Sequence, residues 1–284
     1  MITLSGIGLH TGLACQLKLL QMSDPGFYFQ IMDDPIFHLR PELAEGSAKG
    51  TLIHGPSLTG FGHAGGSHDL TTVEHLLSAC AGTGRWGMEF TMSAVEPPIL
   101  DGSALPFVEA IKQLPQTAAE PIVLKFPVCV QEGDAFIAAV PLTLVPLTPS
   151  PLSRGRGVGG EGQVRIRYYA SYPTIGDFFY DFGGGIDEYV SEIAPARTFC
   201  MDYEIEIQRK AGLIKGASLD CAVVFSKDGP STPLRFQDEP VRHKILDFIG
   251  DLAILGRPLL ADIVAVKTSH KLNIAFAQKV ATLT

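Results

Sequence analysis

The sequence predicts a mixed fold in which both halves of the chain contain helices and strands. Residues 71–82 and 238–252 have the apolar spacing of helices, one in each half, and short alternating stretches typical of strands lie around them. Residues 115–121, PQTAAEP, have the composition of a linker between the halves. With 284 residues, 46% of them hydrophobic, the chain is long enough for one large or two modest domains.

The composition argues against two classes of partner. The net charge is -8, whereas a general nucleic-acid binder needs a basic surface, so no nucleic acid is expected. No apolar run reaches the roughly 18 residues of a membrane span, and the first 20 residues lack the pattern of a signal peptide. Five scattered cysteines without a Cys-x-x-Cys pair indicate neither a disulfide framework nor a thiolate zinc site. We therefore expect a cytoplasmic protein without a membrane span.

The first half opens with two predicted strands, at residues 2–12 and 14–19, joined by a glycine-rich turn. His10 lies at that turn, where a solvated side chain is favoured over a functional one. A third strand is expected at residues 27–32. Residues 51–70 are rich in glycine and histidine, but the spacing of the histidines matches no compact ligand pattern, so a loop is favoured over a metal cluster.

The helix predicted at residues 71–82 carries an acid and a histidine side by side. Thr71 and Glu74 have the spacing of a capping box, which would give Glu74 a structural role only. His75, at the start of an apolar helix, is either hydrogen-bonded in the core or a metal ligand. The pair Glu74 and His75 is one that hydrolytic zinc sites use, with one residue holding the metal and its neighbour taking a proton from water.

Most of the remaining elements follow from the same two periodicities. Strands are predicted at residues 90–95, 122–131, 135–140, 164–170, 218–225 and 262–268, and helices at 107–114, 187–193, 205–213 and from 269 onward. Residues 143–162 are rich in proline and glycine and fit neither period, so they are predicted to be a disordered insertion. Their two arginines are too few for an RNA-binding tail.

The helix predicted at residues 238–252 has the clearest boundaries and an unusual polar stripe. Pro240 suits the first turn, and Gly256 suits the end. At 3.6 residues per turn, His243, Asp247 and Asp251 fall on one face beside apolar neighbours. The stripe is either the polar edge of a buried helix or part of a metal site.

Together, the two helices predict a catalytic metal site. His75, His243 and Asp247 would supply three nitrogen and oxygen ligands, which leaves the fourth tetrahedral position open, as in catalytic rather than structural zinc sites. The chemistry indicated is hydrolysis. Glu74 can serve as general base, His270 as an acid for the leaving group, and the Thr198 hydroxyl as an oxyanion donor.

Five motifs, in order along nearly the whole chain, resemble one enzyme family. They are TVEHLLSA at 72–79, LDGSALPF at 100–107, ARTF at 196–199, RHKILDFIGDL at 242–252 and SHKLN at 269–273. The family is the UDP-3-O-acyl-N-acetylglucosamine deacetylases of lipid A biosynthesis, whose reaction is the committed step of that route. The resemblance implies an α+β fold of two similar domains, each a β-sheet with a pair of helices, packed helix layer to helix layer with the active site at the seam. The domains would span residues 1–116 and 122–284, with a linker at 117–121.

The resemblance also implies roles for individual residues. One Zn2+ per chain would be held by His75, His243 and Asp247. Glu74 would be the base and His270 the acid, with Asp251 orienting His270 and Thr198 on the oxyanion. The substrate-binding residues implied are His10, Lys244 and Lys267 near the sugar diphosphate, Phe199 packing on the substrate, and Ile205 and Ile214 in an acyl-passage insert at residues 199–217.

The implied partner is the substrate UDP-3-O-acyl-N-acetylglucosamine, and a monomer is expected. Three features depart from the family's pattern: Ser269 stands where glycine is usual, residues 53–70 replace a more regular segment, and residues 143–162 look inserted. Ser269 would restrict the backbone near His270 if its φ were positive. Two alternatives follow: a catalytically inactive zinc-binding relative that binds nucleotide-sugar lipid, and a zinc amidase that acts on another N-acetylated sugar.

Overall fold

The structure is a computed structural model, and it describes residues 1–47, 50–55, 69–142 and 164–284. The disordered insertion predicted at residues 143–162 and most of the glycine- and histidine-rich stretch at 53–70 lie outside the described residues.

The first half of the chain builds one sheet, a hairpin and two helices. In chain order its elements are β1 (Ile2–Ile7), β2 (Ala14–Gln21), β3 (Gly26–Ile31), β4 (Phe37–His38), β5 (Ala44–Ser47), β6 (Gly50–Ile53), α1 (Glu74–Gly82), β7 (Gly87–Met92) and α2 (Leu105–Ile111). The sheet has the order β1-β2-β7-β3-β4, with only β3 and β7 parallel. Strict alternation in β2 buries Leu17 and Leu19 on the face that α1 covers. Strands β5 and β6 pair separately as an antiparallel hairpin.

The second half builds a larger sheet and the two longest described helices. Its elements are β8 (Ile122–Val123), β9 (Val128–Glu132), β10 (Ala135–Pro141), β11 (Arg165–Tyr172), β12 (Gly176–Phe182), α3 (Ile186–Glu188), a π-helical turn (Tyr189–Ile193), β13 (Phe199–Met201), α4 (Asp202–Lys210), β14 (Val223–Ser226), β15 (Gly229–Pro230), α5 (Glu239–Leu252), β16 (Leu259–Val266) and α6 (His270–Leu283). The main sheet has the order β12-β11-β16-β10-β9, with β8 paired to the start of β16. Strands β13, β14 and β15 form a small separate sheet.

Helices α1 and α5 pack directly against each other, which joins the helix layers of the two halves. A Cβ at Gly250 would overlap the carbonyl oxygen of Glu74, so only glycine allows the helices to approach this closely. Twelve of the fourteen residues of α5 are buried, and the exceptions are Arg242 and Lys244. The α+β fold with a pair of helices on each sheet is therefore confirmed, and the polar stripe of α5 lies inside the protein.

Several details differ from the sequence-based predictions. The strand predicted at residues 122–131 is divided into β8 and β9, and residues 51–53 of the predicted loop belong to β6. The prediction of a capping box is wrong. Helix α1 begins at Glu74, and the Thr71 N–H bonds to the Val95 carbonyl and not to the Glu74 side chain. The strand β12 was not predicted, because residues 176–182 place aromatic side chains on both faces of the sheet. Ser269 has φ -121°, in the extended region, so the restriction expected of it does not arise; its hydroxyl caps α6 by accepting the Leu272 N–H.

A search of the described residues finds no helix that combines the length and apolarity needed to cross a membrane. The five cysteines carry free thiols.

Candidate active site

Three atoms that could bind a metal converge where α1 and α5 cross. The His75 Nε2 lies 3.5 Å and the His243 Nε2 3.3 Å from the same atom, Oδ1 of Asp247. All three side chains are buried. The i, i+4 spacing on α5 brings His243 and Asp247 together, and the helix crossing brings His75 to them.

The protonation of His243 leaves its Nε2 free to bind a metal. Its Nδ1 lies 3.1 Å from the Ala196 carbonyl, which can only accept, so Nδ1 carries the proton and Nε2 a lone pair. Burial lowers the pKa of His243 to about 4, so the ring is neutral at physiological pH. A neutral imidazole is the form that coordinates metals.

Two buried polar atoms of this cluster have no hydrogen-bond partner. They are Oδ1 of Asp247 and Nδ1 of His75. The other oxygen of Asp247 accepts a hydrogen bond from Lys244 Nζ at 2.7 Å. Burial works against ionisation, but the neighbouring imidazoles and the charge of Lys244 hold the pKa of Asp247 well below its usual value. A buried carboxylate oxygen without a donor, beside two imidazole nitrogens, fits a divalent cation.

Glu74 lies beside these ligands at the first residue of α1. Its side chain is 3% exposed, and its Oε2 accepts the Thr51 N–H at 2.9 Å. Burial raises the pKa of Glu74, with the nearby charges of His270 and His75 opposing the shift. The Oε1 lies 4.0 Å from the His270 Nε2, so two titratable side chains face each other across a gap.

His270 begins α6 and is held from behind by Asp251. Its Nδ1 lies 2.9 and 3.1 Å from the two oxygens of Asp251, which is completely buried. Asn273 Nδ2 and Thr51 Oγ1 donate to the same carboxylate. The Nε2 of His270 is left to face the cavity that contains the metal-ligand cluster.

Thr198 and Phe199 reach the site from the segment that follows the π-helical turn. The Thr198 N–H donates to the Gly102 carbonyl at 2.8 Å, and a Cβ at Gly102 (φ +80°) would overlap the Cys221 carbonyl. This close approach requires glycine in the turn before α2. The Phe199 ring packs edge-on against His243 at a centroid distance of 6.1 Å.

A cavity of about 430 Å³ opens beside the ligand cluster. The sequence-predicted site residues that line it are His10, Glu74, His75, Thr198, Phe199, Ile205, Ile214, His243, Lys244, Asp247 and His270. Asp251 lies behind His270. Residues of the segment 199–217, which contains β13 and α4, form one wall of the cavity.

Two predicted residues have surroundings that the sequence did not indicate. The favoured reading of His10 as a solvated turn residue is wrong: it is 8% exposed, lines the cavity, and accepts the Ile214 N–H at 3.4 Å. Lys267 does not line the cavity; its Nζ pairs with Asp134 at 2.8 Å.

Sequence reasoning missed the residues that support the site. Glu96, which follows the strand predicted at residues 90–95, is fully buried and accepts hydrogen bonds from the backbone N–H groups of His10 and Thr11, which fixes the turn that carries His10. Thr51 was not identified, and Asn273 was quoted only as the last residue of the SHKLN motif, without a role. Each is a short polar residue with no distinctive local pattern, and only the fold brings it to its partner.

Comparison with known proteins identifies a single family. The model of the family described as LpxC, UDP-3-O-acyl N-acetylglycosamine deacetylase, matches residues 1–282. A UDP-3-O-acyl-N-acetylglucosamine deacetylase of Synechocystis is 36% identical over 291 residues, covering 99% of this chain and 96% of the relative. Deacetylases of the same name from Chlamydia felis (35% identical; 97% of this chain, 92% of the relative) and Leptospira biflexa (34%; 98% and 86%) are also similar.

Proposed function

The chain belongs to the LpxC family of UDP-3-O-acyl N-acetylglycosamine deacetylases, and we propose that it works with one zinc ion held by His75, His243 and Asp247. It hydrolyses the N-acetyl group of UDP-3-O-acyl-N-acetylglucosamine, giving acetate and UDP-3-O-acyl-glucosamine in lipid A biosynthesis. Because all the residues of the site come from one chain, we propose that the protein is a monomer. Because the substrate is a uridine nucleotide, the proposed compartment is the cytoplasm.

The unpartnered Oδ1 of Asp247 is the observation that carries the metal proposal. It faces two imidazole nitrogens at 3.3 and 3.5 Å, and the His243 nitrogen is unprotonated. A set of two nitrogens and one oxygen with an open fourth position is typical of catalytic zinc. When bound, zinc supplies Lewis-acid chemistry, polarising the acetamide carbonyl and making water more acidic.

Glu74 is the proposed general base. Its buried carboxylate has a raised pKa, which makes it a better proton acceptor than an exposed glutamate. The Thr51 N–H holds Oε2, so Oε1 is the oxygen available to take the proton from the attacking water. Oε2 therefore positions the carboxylate, and Oε1 accepts the proton.

His270 is the proposed general acid. Asp251 accepts a hydrogen bond from the Nδ1–H of His270. The Nε2–H on the other side of the ring would therefore donate to the leaving nitrogen of the amide. The proton that Glu74 takes from water and the proton that His270 gives to nitrogen account for one molecule of acetic acid and one of amine. The remaining proton of the acid passes to the amine or to solvent, which gives acetate, and transfer of the proton from Glu74 to His270 restores the pair. The 4.0 Å between the two groups allows both to reach the same reacting carbon and nitrogen.

The remaining cavity residues are proposed to bind the substrate. The Thr198 hydroxyl would stabilise the developing oxyanion, and Phe199 would pack on the sugar. Lys244 would offset diphosphate charge; burial disfavours its charged form, but Asp247 more than compensates and raises the pKa of its ammonium group. His10 would contact the same part of the substrate, and Lys267 would do so only after leaving Asp134.

The test is acetate release from the acylated substrate by the purified chain, with chelator and with zinc added back. We expect release to stop with chelator and to return with zinc. Glu74→Ala should keep the metal and lose about 10²- to 10⁴-fold in kcat, whereas His243→Ala should lose the metal as well. Full activity in either variant would overturn the assignment. Equal rates on a sugar without the acyl chain would favour the amidase alternative.

A further inference from the structure

The β5–β6 hairpin contacts both sides of the proton-transfer machinery, and we propose that Thr51 is a positioning residue that fixes the base and the acid relative to each other. The inference rests on the proposed roles of Glu74 and His270. Thr51 is completely buried, so its polar groups are committed to the protein interior.

The backbone of Thr51 holds the base. Its N–H donates to Glu74 Oε2 at 2.9 Å, and its carbonyl accepts the Thr72 N–H at 3.1 Å, just before α1. The preceding residue, Gly50, has φ +89°, and a Cβ there would overlap Glu74 Oε1. The start of β6 therefore closes over the carboxylate and limits how far it can rotate.

The side chain of Thr51 holds the group behind the acid. Its Oγ1 donates to Asp251 Oδ1, while Asn273 donates to Oδ2 at 2.7 Å. With a neutral donor on each oxygen, the carboxylate is held in the plane that receives the His270 Nδ1–H. One residue thus bonds both to the base and to the partner of the acid.

The other strand of the hairpin fixes the position of α6. A Cβ at Gly46 would overlap the backbone of His270 and Lys271, so the strand lies directly against the first turn of this helix. Gln278 on α6 also donates to the Ala44 carbonyl at 2.9 Å. Because β6 is paired to β5, the position of Thr51 is tied to the backbone of His270 as well as to its carboxylate partner.

The decisive experiment compares Thr51→Val with Thr51→Ser. Both keep the backbone N–H on Glu74, but only serine keeps a hydroxyl for Asp251. In T51V we expect kcat to fall by about 10- to 100-fold with KM changed less than about twofold, because Asp251 loses a donor that orients it while no group facing the substrate changes. T51S should recover most of the kcat. Metal content should stay at the wild-type value in both.

Thr83→Val is the matched control. Thr83 is also buried, and its hydroxyl bonds to the Ala79 carbonyl at the far end of α1, away from the cavity. The T83V variant therefore measures how much kcat changes when a buried hydroxyl outside the site is removed. If T51V does not fold, Thr51→Ala gives the same comparison without an added methyl group.

The two levels of the proposal fail in different ways. An inactive wild-type chain, or a fully active Glu74→Ala variant, would remove the proposed mechanism itself. An active wild type and an inactive Glu74→Ala, together with wild-type kcat in T51V, would overturn only the role of Thr51. A kcat loss that T51S does not recover would also overturn it, since the hydroxyl would then not be the cause.

Discussion

The Nδ1 of His270 lies 2.9 Å from Oδ2 of Asp251, a carboxylate with no exposed surface. Burial alone would lower the pKa of His270, but the negative charges of Asp251 and Glu74 and the hydrogen bond to Asp251 raise it to about 9. The ring is therefore protonated at physiological pH and loses its proton as the pH rises through about 9.

We predict that this pKa sets the alkaline limb of the activity profile. A general acid works only when protonated, so kcat/KM should fall as the pH rises through about 9. Asp251→Asn removes the strongest cause that raises the pKa, so the fall should move to lower pH. The measurement is kcat/KM against pH, with Asp262→Asn, which removes an ion pair with Arg167 away from the site, as control. An unchanged alkaline limb in D251N would contradict the assignment of His270.

A second prediction concerns the buried ion pair between Glu239 and Arg197. Glu239 Oε1 accepts the Arg197 Nε–H at 2.9 Å, and Oε2 accepts from Nη2 at 3.1 Å. Glu239→Gln should destabilise the protein by ~3–5 kcal/mol, because Arg197 would be left as an unpaired buried charge. Urea unfolding measures the loss. Glu109→Gln, which breaks an exposed pair with Lys112, should cost about 1 kcal/mol or less.

The same pair predicts a pH dependence of stability. Burial acts to raise the pKa of Glu239, but the hydrogen bonds from Arg197 and Arg235 outweigh it, so the folded pKa lies below 4.5. Its contribution is present above the unfolded pKa and is lost as the pH falls through the folded value. The wild-type free energy of unfolding should therefore fall more steeply below about pH 4.5 than that of E239Q. Parallel curves would exclude Glu239 as a source of acid sensitivity.

A third prediction concerns Ser269, where the family resemblance implies a glycine. Because its φ is -121° and its hydroxyl caps α6, serine is compatible with the backbone at this position. Ser269→Ala should cost ~0.5–2 kcal/mol and Ser269→Gly only a few tenths, both by urea unfolding. A gain of stability in S269G would mean that serine strains the turn before His270.

A fourth prediction concerns the wall of the cavity formed by α4. Ile205 lines the cavity, whereas Ile207 on the same helix is 66% exposed and does not. We propose that the acyl chain lies along this wall, as the family resemblance implies. Ile205→Trp should then lower kcat/KM for a long-acyl substrate about tenfold, by filling the space for the chain, and affect a short-acyl substrate less. Ile207→Trp is the matched control. Equal effects on both chain lengths in I205W would place the acyl chain elsewhere.

The parts of the site that sequence alone predicted are those governed by local geometry. The stripe of His243, Asp247 and Asp251 follows from helical periodicity, and α5 spans nearly the predicted residues because its Pro240 and Gly256 signals are local. The ligand chemistry of His75, His243 and Asp247 then suggested that α1 and α5 share a site, and the resemblance to a family supported this, whereas periodicity alone cannot join two helices. Local patterns specify faces of elements, and they do not specify which faces meet.

The parts that escaped prediction depend on contacts between distant segments. Thr51 is polar and follows glycine, which locally favours a loop, yet it pairs in β6 and bonds to a carboxylate in the other half of the chain. His10 was misread for the same reason, because the segment that buries it, around Ile214, lies far along the chain. The capping-box spacing at Thr71 was misleading because the Thr71 N–H bonds instead to the carbonyl of Val95, in the turn that follows β7.

The crossing of α1 and α5 also has a consequence for protein abundance. The ligands come from segments far apart in the sequence, so an unfolded chain has no assembled site and the metal binds the folded state almost exclusively. By mass action, free metal at 100 times its dissociation constant would add ~2.7 kcal/mol to the free energy of unfolding. A cell short of this metal would therefore lose folded protein to proteolysis as well as losing catalysis, and the amount of enzyme would follow the metal supply.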